Sequence, residues 1–215
     1  TPAVPAAGMR AIPDQLARPL RRRIFRGVPV HSVAPDRVET QAGSIDCEAV
    51  IVATDPTTAA SLVPGLPAPG MRALTTWYFG IEEDDLYNGH PVLVLDSEHR
   101  GPVTNAVVVS YAAREYAPQG RHLVQATAVG LKEAGIDEVR HHLADLYGVP
   151  TGHWELVGHY PLPEALPAAI PPFQVASPQD FDGVLVAGDH RDTPSIQGAL
   201  VSGRRAAASV IRRLQ

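Results

Sequence analysis

The 215-residue chain has a formal net charge of −5, with 45% hydrophobic and 19% charged residues. This composition is that of an ordinary globular protein, and the negative charge gives no reason to expect nucleic acid as a partner. No apolar run reaches the roughly 18 residues that a membrane helix needs, so we expect at most peripheral membrane contact. The single Cys47 cannot form an internal disulfide, which favours a reducing, cytoplasmic location.

The first predicted element is an amphipathic helix that follows Gly8 and carries Pro13 in its first turn. Pro19 kinks this helix or ends it early, because proline removes a helical hydrogen bond. Arginines at positions 21, 22, 23 and 26 follow. They indicate either a phosphate-binding patch or a solvated helix end, and we favour the second interpretation.

A group of strands follows the arginines. Residues 28–33 and 37–40 predict a hairpin, and residues 45–53 end in a buried strand over 49–53. Thr54, Asp55 and Pro56 then cap a short helix over 57–62.

The middle of the chain predicts an antiparallel sheet and one helix. The helix spans 137–147, with Asp137 as its N-cap and Gly148 as its stop. A last strand over 154–160 precedes a proline-rich loop over 161–178. The earlier strands are predicted at 73–81, 91–96, 103–110 and 122–129.

The chain ends in a strand, a sharp turn and a helix. Val184 to Ala187 are typical of a strand buried on both faces, Gly188 and Asp189 end it, and Ser195 caps the helix. Small residues in the first helical turns allow another group close to the backbone, where free N–H groups favour an electron-rich ligand. One apolar face is predicted from Ile196, Ala199, Leu200, Gly203, Ala207, Val210, Ile211 and Leu214.

The C-terminal run V-A-G-D, followed by P-S-I-Q-G-A-L-V-S-G-R-R-A-A, resembles the flavin-binding signature of FAD-dependent amine oxidases, phytoene desaturases and protoporphyrinogen oxidases. The resemblance implies FAD as cofactor, with Gly188 and Asp189 beside its ribityl and phosphate part. It also implies a helix N-terminus, capped by Ser195, that points backbone amides at the flavin ring. These amides would be those of Ile196, Gln197, Gly198 and Ala199.

Earlier segments extend the resemblance. The strand beginning near Val30 and the run V-I-V-A-T-D-P are similar to parts of the superfamily's FAD domain. The resemblance implies that the Val30 backbone pairs with the adenine edge, and that Ala53 and Thr54 lie close to the dinucleotide. Y-A-P-Q-G-R-H-L-V and W-E-L-V-G-H-Y-P-L-P-E-A-L-P resemble stretches of the desaturase-like members.

The implied fold is mixed α/β: a partial Rossmann-like FAD domain (1–66 and 181–215) with an inserted substrate domain (67–180) of antiparallel sheet plus helix. Because no G-x-G-x-x-G loop occurs, we expect the C-terminal portion of a longer or split FAD-dependent oxidoreductase that oxidises a C–C or C–N bond. Whether this truncated form is active alone stays open. The alternative is a flavin-free binding or assembly module that needs a separate N-terminal FAD-binding chain or forms a homodimer.

A hydrophobic small molecule is the expected substrate, and no catalytic residue is assigned. Aromatic side chains, Trp154 among them, either line a substrate cavity or pack in the core, and the charged turn after Asp189 either meets substrate and flavin or is solvated. The substrate candidates are Trp77, Tyr78, Tyr160, His190 and Arg191.

Two rival chemistries fit poorly. Ser195, His190 and Asp189 lack the G-x-S-x-G context of a hydrolase nucleophile, and the N-cap role already explains the serine. The histidines lack the spacing of a metal site, so no metal is predicted.

Overall fold

The part of the chain that this computed structural model describes comprises residues 4–86, 92–172 and 179–215. Its helices are α1 (Ala11–Ala17), α2 (Pro56–Leu62), α3 (Ile136–Tyr147) and α4 (Ile196–Arg213). Its first strands are β1 (Val30–Ala34), β2 (Arg37–Thr40), β3 (Gly43–Asp46), β4 (Ile51–Val52) and β5 (Met71–Glu82). The others are β6 (Leu93–Leu95), β7 (Asn105–Val108), β8 (Arg121–Val129), β9 (Glu155–Pro167), β10 (Asp180–Phe181) and β11 (Val184–Val186).

The chain divides into two units, each made of two separate stretches of sequence. Unit 1 comprises Thr1–Ile24 and Arg72–Ala165, and unit 2 comprises Phe25–Met71 and Leu166–Gln215. The first residues are held within unit 1 by the Tyr116 hydroxyl, which donates a hydrogen bond to the Pro5 carbonyl at 2.9 Å. The roles predicted for the two domains stay a prediction.

Unit 1 is built on the sheet β6-β7-β8-β5-β9. β8 pairs antiparallel with β5, so that Trp77 lies opposite Ala126, and β7 continues the antiparallel pattern on the other side. The predicted antiparallel sheet is therefore present. Its core joins the inward side chains of these strands to α3 and to Trp154, which is 0% exposed.

Helix α3 matches its prediction except at its first residue. The structure places Gly135 at the N-cap, and Asp137 lies in the first turn, where its carboxylate contacts Arg140 at 3.2 Å. The predicted Asp137 cap is thus wrong, although an acid in the first turn still favours the helix through its dipole. Gly148 ends α3 in the left-handed conformation at φ 68°.

A buried histidine ties α3 to the loop after β6. The Nδ1 of His142 accepts a hydrogen bond from the Val103 N–H at 3.1 Å, so the ring proton resides on Nε2, 3.2 Å from Asp96 Oδ2. Burial raises the pKa of Asp96, but the N–H groups of Arg100 and Glu98 outweigh it and hold the pKa below the ordinary value. This histidine has a structural role.

Strand β9 runs farther than predicted. It continues to Pro167, through residues that are predicted to belong to the loop 161–178. β9 is an edge strand, so one side of its backbone pairs with no other strand. A proline nitrogen on that unpaired side removes no hydrogen bond of the sheet, so the prolines of β9 are tolerated. The predicted loop is therefore wrong at its start, and its residues 173–178 lie outside the described residues.

Unit 2 contains two small sheets. β1, β2 and β3 form an antiparallel meander, and β10-β11-β4 form a mixed sheet in which β11 and β4 are parallel. The predicted strand 45–53 is thus two strands in different sheets, because residues 47–50 turn the chain between them. The core of unit 2 includes Val52, Val186 and Ala59.

Two predicted helix starts are confirmed in unit 2. Asp55 caps α2 by accepting the Thr58 N–H at 2.9 Å, and Ser195 caps α4 by accepting the Gly198 N–H at 3.0 Å. Hydrogen bonds from Thr58 hold the pKa of the Asp55 carboxyl below its ordinary value. The proline-terminated N-terminal helix also forms: α1 ends at Ala17, and residues 18–23 continue as a 3₁₀ helix that contains Pro19.

Helix α4 buries a different face from the predicted one. Its buried residues are Gly198, Ser202 and Ala206, spaced one turn apart. Ile196, Leu200 and Ile211 of the predicted apolar face are 54%, 45% and 58% exposed. The helix packs closely through small residues, and its large apolar side chains point outward.

Candidate functional site

The carboxyl ends of the parallel strands β4 and β11 meet at one edge of their sheet. Val52 lies opposite Val186, and the Ala187 N–H donates to the Val52 carbonyl at 2.9 Å. Thr54 and Asp189, two or three residues beyond these partners in sequence, therefore leave the sheet at the same edge. In α/β sheets ligands bind outside the carboxyl ends of parallel strands.

Gly188 turns the chain away from β11 under tight steric limits. A Cβ at this position would lie 2.5 Å from the His190 ring. The Gly188 N–H donates to Ser202 Oγ at 2.9 Å, and this hydroxyl donates to the Ala199 carbonyl at 3.0 Å. Ser202 thus connects the strand end to α4, a role that the sequence does not indicate because an internal helical serine carries no distinctive signal.

The start of α4 offers two open amides. The Gly198 N–H is bonded to Ser195 Oγ, and the Ala199 N–H to the Ser195 carbonyl at 3.0 Å. Within the described residues, the amides of Ile196 and Gln197 donate no hydrogen bond. Of the four predicted amides, these two remain free for a ligand acceptor.

The close approach expected at the start of α4 occurs within the chain itself. A Cβ on Gly198 would lie 1.9 Å from the Thr193 carbonyl oxygen. Glycine at this position lets the turn 192–194 fold directly against the helix, which fixes the direction of the first amides.

Arg205, which lies farther along α4, also holds the turn 192–194 in place. Its guanidinium lies 2.9 Å from Asp192 Oδ2, and it donates to the Arg191 carbonyl at 2.6 Å. A further hydrogen bond, at 3.3 Å, joins it to Gln179, whose amide donates to the carbonyls of Val186 and Ser202. No pattern in the sequence indicates these roles of Arg205 and Gln179.

A cavity of about 380 Å³ opens beside this turn within unit 2. Asp189, His190 and Asp192 supply its polar wall, and the other lining residues are Pro69, Gly70, Pro167, Ala168, Ile170, Pro172 and Pro194. Burial lowers the pKa of His190, and the Arg191 cation lowers it further; Asp189 and Asp55 oppose the shift only in part. The imidazole is therefore neutral at neutral pH.

Arg191 and Val30 lie apart from this polar wall. Arg191 is 6% exposed and its guanidinium stacks 5.3 Å from the Phe181 ring centroid, while burial and then Arg205 lower its pKa. Val30 belongs to the meander sheet, where it pairs with Thr40. The structure thus groups Thr54, Gly188, Asp189 and the start of α4, and assigns Val30 to the other sheet of unit 2.

A second cavity, of about 420 Å³, lies within unit 1. Two of the predicted substrate residues, Tyr78 and Tyr160, line it with their rings in edge contact at 5.9 Å. The remaining lining is Thr76, Leu123, Val157, Gly158 and Leu162. Burial, followed by the neighbouring Tyr160 and Tyr116, raises the pKa of Tyr78. Trp77 instead is 1% exposed and packs in the core, stacked on His159 at 5.4 Å.

The hydrogen-bonding groups at this edge of the unit 2 sheet, both acceptors and donors, fit a flavin. The Asp189 carboxylate accepts from hydroxyl groups, as a ribityl chain carries, and the two open amides donate to carbonyl oxygens, as a flavin ring carries. Within the described residues no three His, Cys, Asp or Glu side chains gather as a metal site, and no helix has the length and hydropathy for crossing a bilayer.

Fold and site together define a mixed α/β protein of the flavin oxidoreductase type. The model of the flavin-containing amine oxidoreductase family matches residues 3–211, and the chain belongs to this family.

Solved structures show the same fold at low sequence identity. A candidate protoporphyrinogen oxidase from Exiguobacterium aligns at TM-score 0.68 and 14% identity, over 97% of this chain and 52% of its own. The PF1083 protein from Pyrococcus furiosus aligns at 0.69 and 14%, over 95% and 52%. An oxidoreductase from Methanosarcina mazei aligns at 0.62 and 16%, over 94% and 54%.

The chain thus spans about half the length of these solved relatives. No curated protein matches it significantly.

Proposed function

We propose that this chain is the C-terminal portion of an FAD-dependent oxidoreductase and contributes one side of its flavin site. The observation that carries the proposal is the carboxyl edge of β4 and β11, where the chain leaves the sheet at Thr54, Gly188 and Asp189, together with the open amides at the start of α4. The family match supports a flavin, and the half-length alignment to solved relatives supports a portion of a larger enzyme.

Each group at this edge has a distinct task in the proposal. Asp189, which is partly exposed, accepts hydrogen bonds from the sugar-like part of the cofactor. The N–H groups of Ile196 and Gln197 hold acceptor atoms of the ring, and the tightly packed turn keeps both groups in place. FAD, when bound, supplies the hydride chemistry that oxidises a C–C or C–N bond.

The experiment is a titration of the purified chain with FAD, followed by flavin fluorescence and by thermal unfolding. Asp189→Asn keeps the side-chain shape and removes the charged acceptor, so we expect the Kd for FAD to rise about tenfold, about 1.4 kcal/mol. Asp182→Asn is the matched control, because Asp182 is exposed and its φ of 47° suits asparagine. Absence of FAD binding by the unchanged chain would falsify the proposal.

For the substrate end we propose the unit 1 cavity and a hydrophobic small molecule. Tyr78 and Tyr160 form an aromatic corner on the sheet, and Leu123, Val157 and Leu162 continue its apolar wall. Tyr160→Ala removes the half-exposed ring of this corner while leaving the core intact. We expect it to weaken binding of a hydrophobic amine or polyene measured by Tyr and Trp fluorescence, whereas Tyr147→Phe, which packs against Trp154 outside this cavity, leaves binding unchanged.

A second candidate function is that of an assembly module that takes up a separate nucleotide-binding segment. β4 is an edge strand with Ile51 39% exposed, and α4 presents Ile196, Leu200 and Ile211 outward. The sequence has no G-x-G-x-x-G loop, so such a segment would complete the phosphate side of the site. A separate nucleotide-binding segment also agrees with the solved relatives, which are about twice as long as this chain.

Light scattering and dye binding test this second candidate. We expect a monomer whose exposed face binds a hydrophobic dye, and we expect Leu200→Glu with Ile211→Glu to remove dye binding without loss of stability. A homodimer that this double variant dissociates would instead identify a second copy of the chain as the occupant and overturn the assembly proposal.

A further inference from the structure

The first helices of unit 1 contribute no residue to its core. Helix α1 leads directly into the 3₁₀ helix Arg18–Arg23, and neither contains a buried residue. Of residues 16–24, all except Ala17 are exposed, and we call this stretch the basic segment. Because helices in proteins are stabilised chiefly by an apolar face packed against other parts of the molecule, a helical stretch without such packing is open to a partner.

The basic segment carries a concentrated positive charge from its arginines at positions 18, 21, 22 and 23. Within the described residues, these four guanidinium groups make no hydrogen bond and no ion pair, whereas Arg10 lies 3.4 Å from Asp14. No acidic residue occurs between Asp14 and Asp36, although the whole chain has a net charge of −5. The segment therefore offers its arginines unpaired to an anionic partner.

Large aliphatic side chains alternate with these arginines. Leu16, Leu20 and Ile24 are 57%, 48% and 39% exposed. In a 3₁₀ helix, side chains three residues apart lie in one row, so Arg23 follows Leu20 on the surface. The helix dipole favours cations at the C-terminal end of a helix, which agrees with a solvated helix end. That interpretation gives no role to the exposed aliphatic side chains.

The size and chemistry of the basic segment restrict its partner. A stable protein interface takes about 20–30 residues from each side, and the segment has nine. Binding of single-stranded nucleic acid relies on aromatic side chains for base stacking, and the segment contains none. A lipid surface needs neither feature, because its phosphates attract arginine and its acyl region takes up aliphatic side chains.

We propose that the basic segment of unit 1 docks on an anionic lipid surface. The guanidinium groups lie at the lipid phosphates, and Leu16, Leu20 and Ile24 enter the interface below them. The aliphatic stems of the arginines cover the boundary between the two regions. This inference does not depend on the flavin site proposed for unit 2, so each can fail without the other.

The test is cosedimentation of the purified chain with vesicles of phosphatidylcholine alone, or of equal parts of phosphatidylcholine and phosphatidylglycerol. We expect binding to the anionic vesicles only. Arg21→Gln, Arg22→Gln and Arg23→Gln together are expected to lower the partition coefficient about a hundredfold, because each arginine near an anionic surface contributes about fivefold.

The matched control makes the same change in net charge elsewhere on the chain and is expected to leave vesicle binding unchanged. It replaces by glutamine three arginines that are exposed outside the basic segment: Arg72, Arg204 and Arg212.

A second variant tests the aliphatic contact. Leu16→Gln with Leu20→Gln keeps the charge and the helix propensity, and we expect at least about tenfold weaker binding to the anionic vesicles. All of these variants replace exposed side chains, so the urea midpoint of unfolding is expected to stay unchanged. This measurement separates loss of docking from loss of folding.

Four results would overturn the inference. Absence of binding to the anionic vesicles would show that the segment does not dock on lipid. Equal binding to both kinds of vesicle would show that the contact needs no anionic lipid. An equal loss in the arginine variant and its control would show that net charge, and not this segment, attracts the surface. If duplex DNA binds as tightly as the vesicles, and the leucine variant binds it unchanged, the partner is a polyanion without an apolar part.

Discussion

Gly198 shows how a single residue determines the geometry of the proposed site. No side chain fits there, because a Cβ would lie 1.9 Å from the Thr193 carbonyl. Gly203, on the same helix, has nothing within 4 Å of its potential Cβ. The two glycines therefore have different roles, although the sequence motif contains both.

These glycines give a matched pair of variants. Gly198→Ala is expected to lower the free energy of unfolding by about 1–3 kcal/mol, because the turn must move away from α4. Gly203→Ala is expected to raise it by about 1 kcal/mol through helix propensity. Urea denaturation measures both, and equal effects of the two variants would contradict the close contact at Gly198.

His122 gives the second residue-scale prediction, a pH dependence. Its Nδ1 is hydrogen-bonded to Ser110 Oγ at 3.1 Å, and the same hydroxyl oxygen accepts the Leu123 N–H. Burial lowers the pKa of His122, Arg114 lowers it further, and Glu83 opposes the shift. The unfolded chain then binds more protons than the folded one between the lowered pKa and the ordinary value of about 6.5.

We therefore expect the stability due to His122 to be complete above about pH 6.5 and to fall as the pH drops through its folded pKa. His122→Gln removes this titration, so its stability changes less than that of the wild type between neutral and mildly acidic pH. His141→Gln, at an exposed position, serves as control. Parallel pH profiles of the wild type and His122→Gln would contradict the prediction.

At the scale of elements, the contact between β11 and α4 depends on polar side chains that lie between them. Ser202 joins the strand end to the helix, and Arg205 holds the turn through Asp192 and the Arg191 carbonyl. Small residues on the buried face of α4 bring the backbones close enough for these bonds. The turn that carries Asp189 and His190 is thus held from one side by a single helix.

Arg205→Ala tests this brace. Removing the guanidinium leaves the Arg191 carbonyl and the largely buried Asp192 without this partner, and we expect a loss of about 1–3 kcal/mol in the free energy of unfolding. We also expect faster amide exchange in the turn 188–194. Arg204→Ala is the control, because Arg204 is exposed. Similar stability of both variants would show that the turn is held without Arg205.

At the scale of the whole molecule, each unit has a hydrophobic core of its own. Trp77, Phe79 and Trp154 belong to the core of unit 1, and Val52 and Val186 to that of unit 2. Both tryptophans of the chain lie in unit 1. Tryptophan fluorescence therefore reports on one unit, whereas far-ultraviolet circular dichroism reports on both.

We expect the two probes to give different midpoints in urea, because separate cores permit separate unfolding. FAD is expected to shift the dichroism transition and to leave the tryptophan transition in place, since the proposed site lies in unit 2. At a hundredfold excess over Kd this stabilisation is about 2.7 kcal/mol. Coincident transitions that move together with FAD would show that the chain unfolds as one cooperative body.

Local patterns in the sequence were sufficient for the position and type of most elements. Ser195 and Asp55 cap their helices as predicted, since a cap depends on residues within one turn of each other. The strands of unit 1 and the helix before Gly148 also follow from alternation and periodicity. The C-terminal motif predicted the family, which the family match confirms.

Tertiary structure decided what depends on distant partners. The division of residues 45–53 between two sheets, the outward apolar face of α4 and the edge position of β9 all depend on strands and helices far away in sequence. The same holds for Ser202 and Arg205, whose roles arise from neighbours that only folding brings together. Local propensity determines an element, whereas the energy of burial and pairing determines which of its faces the protein uses.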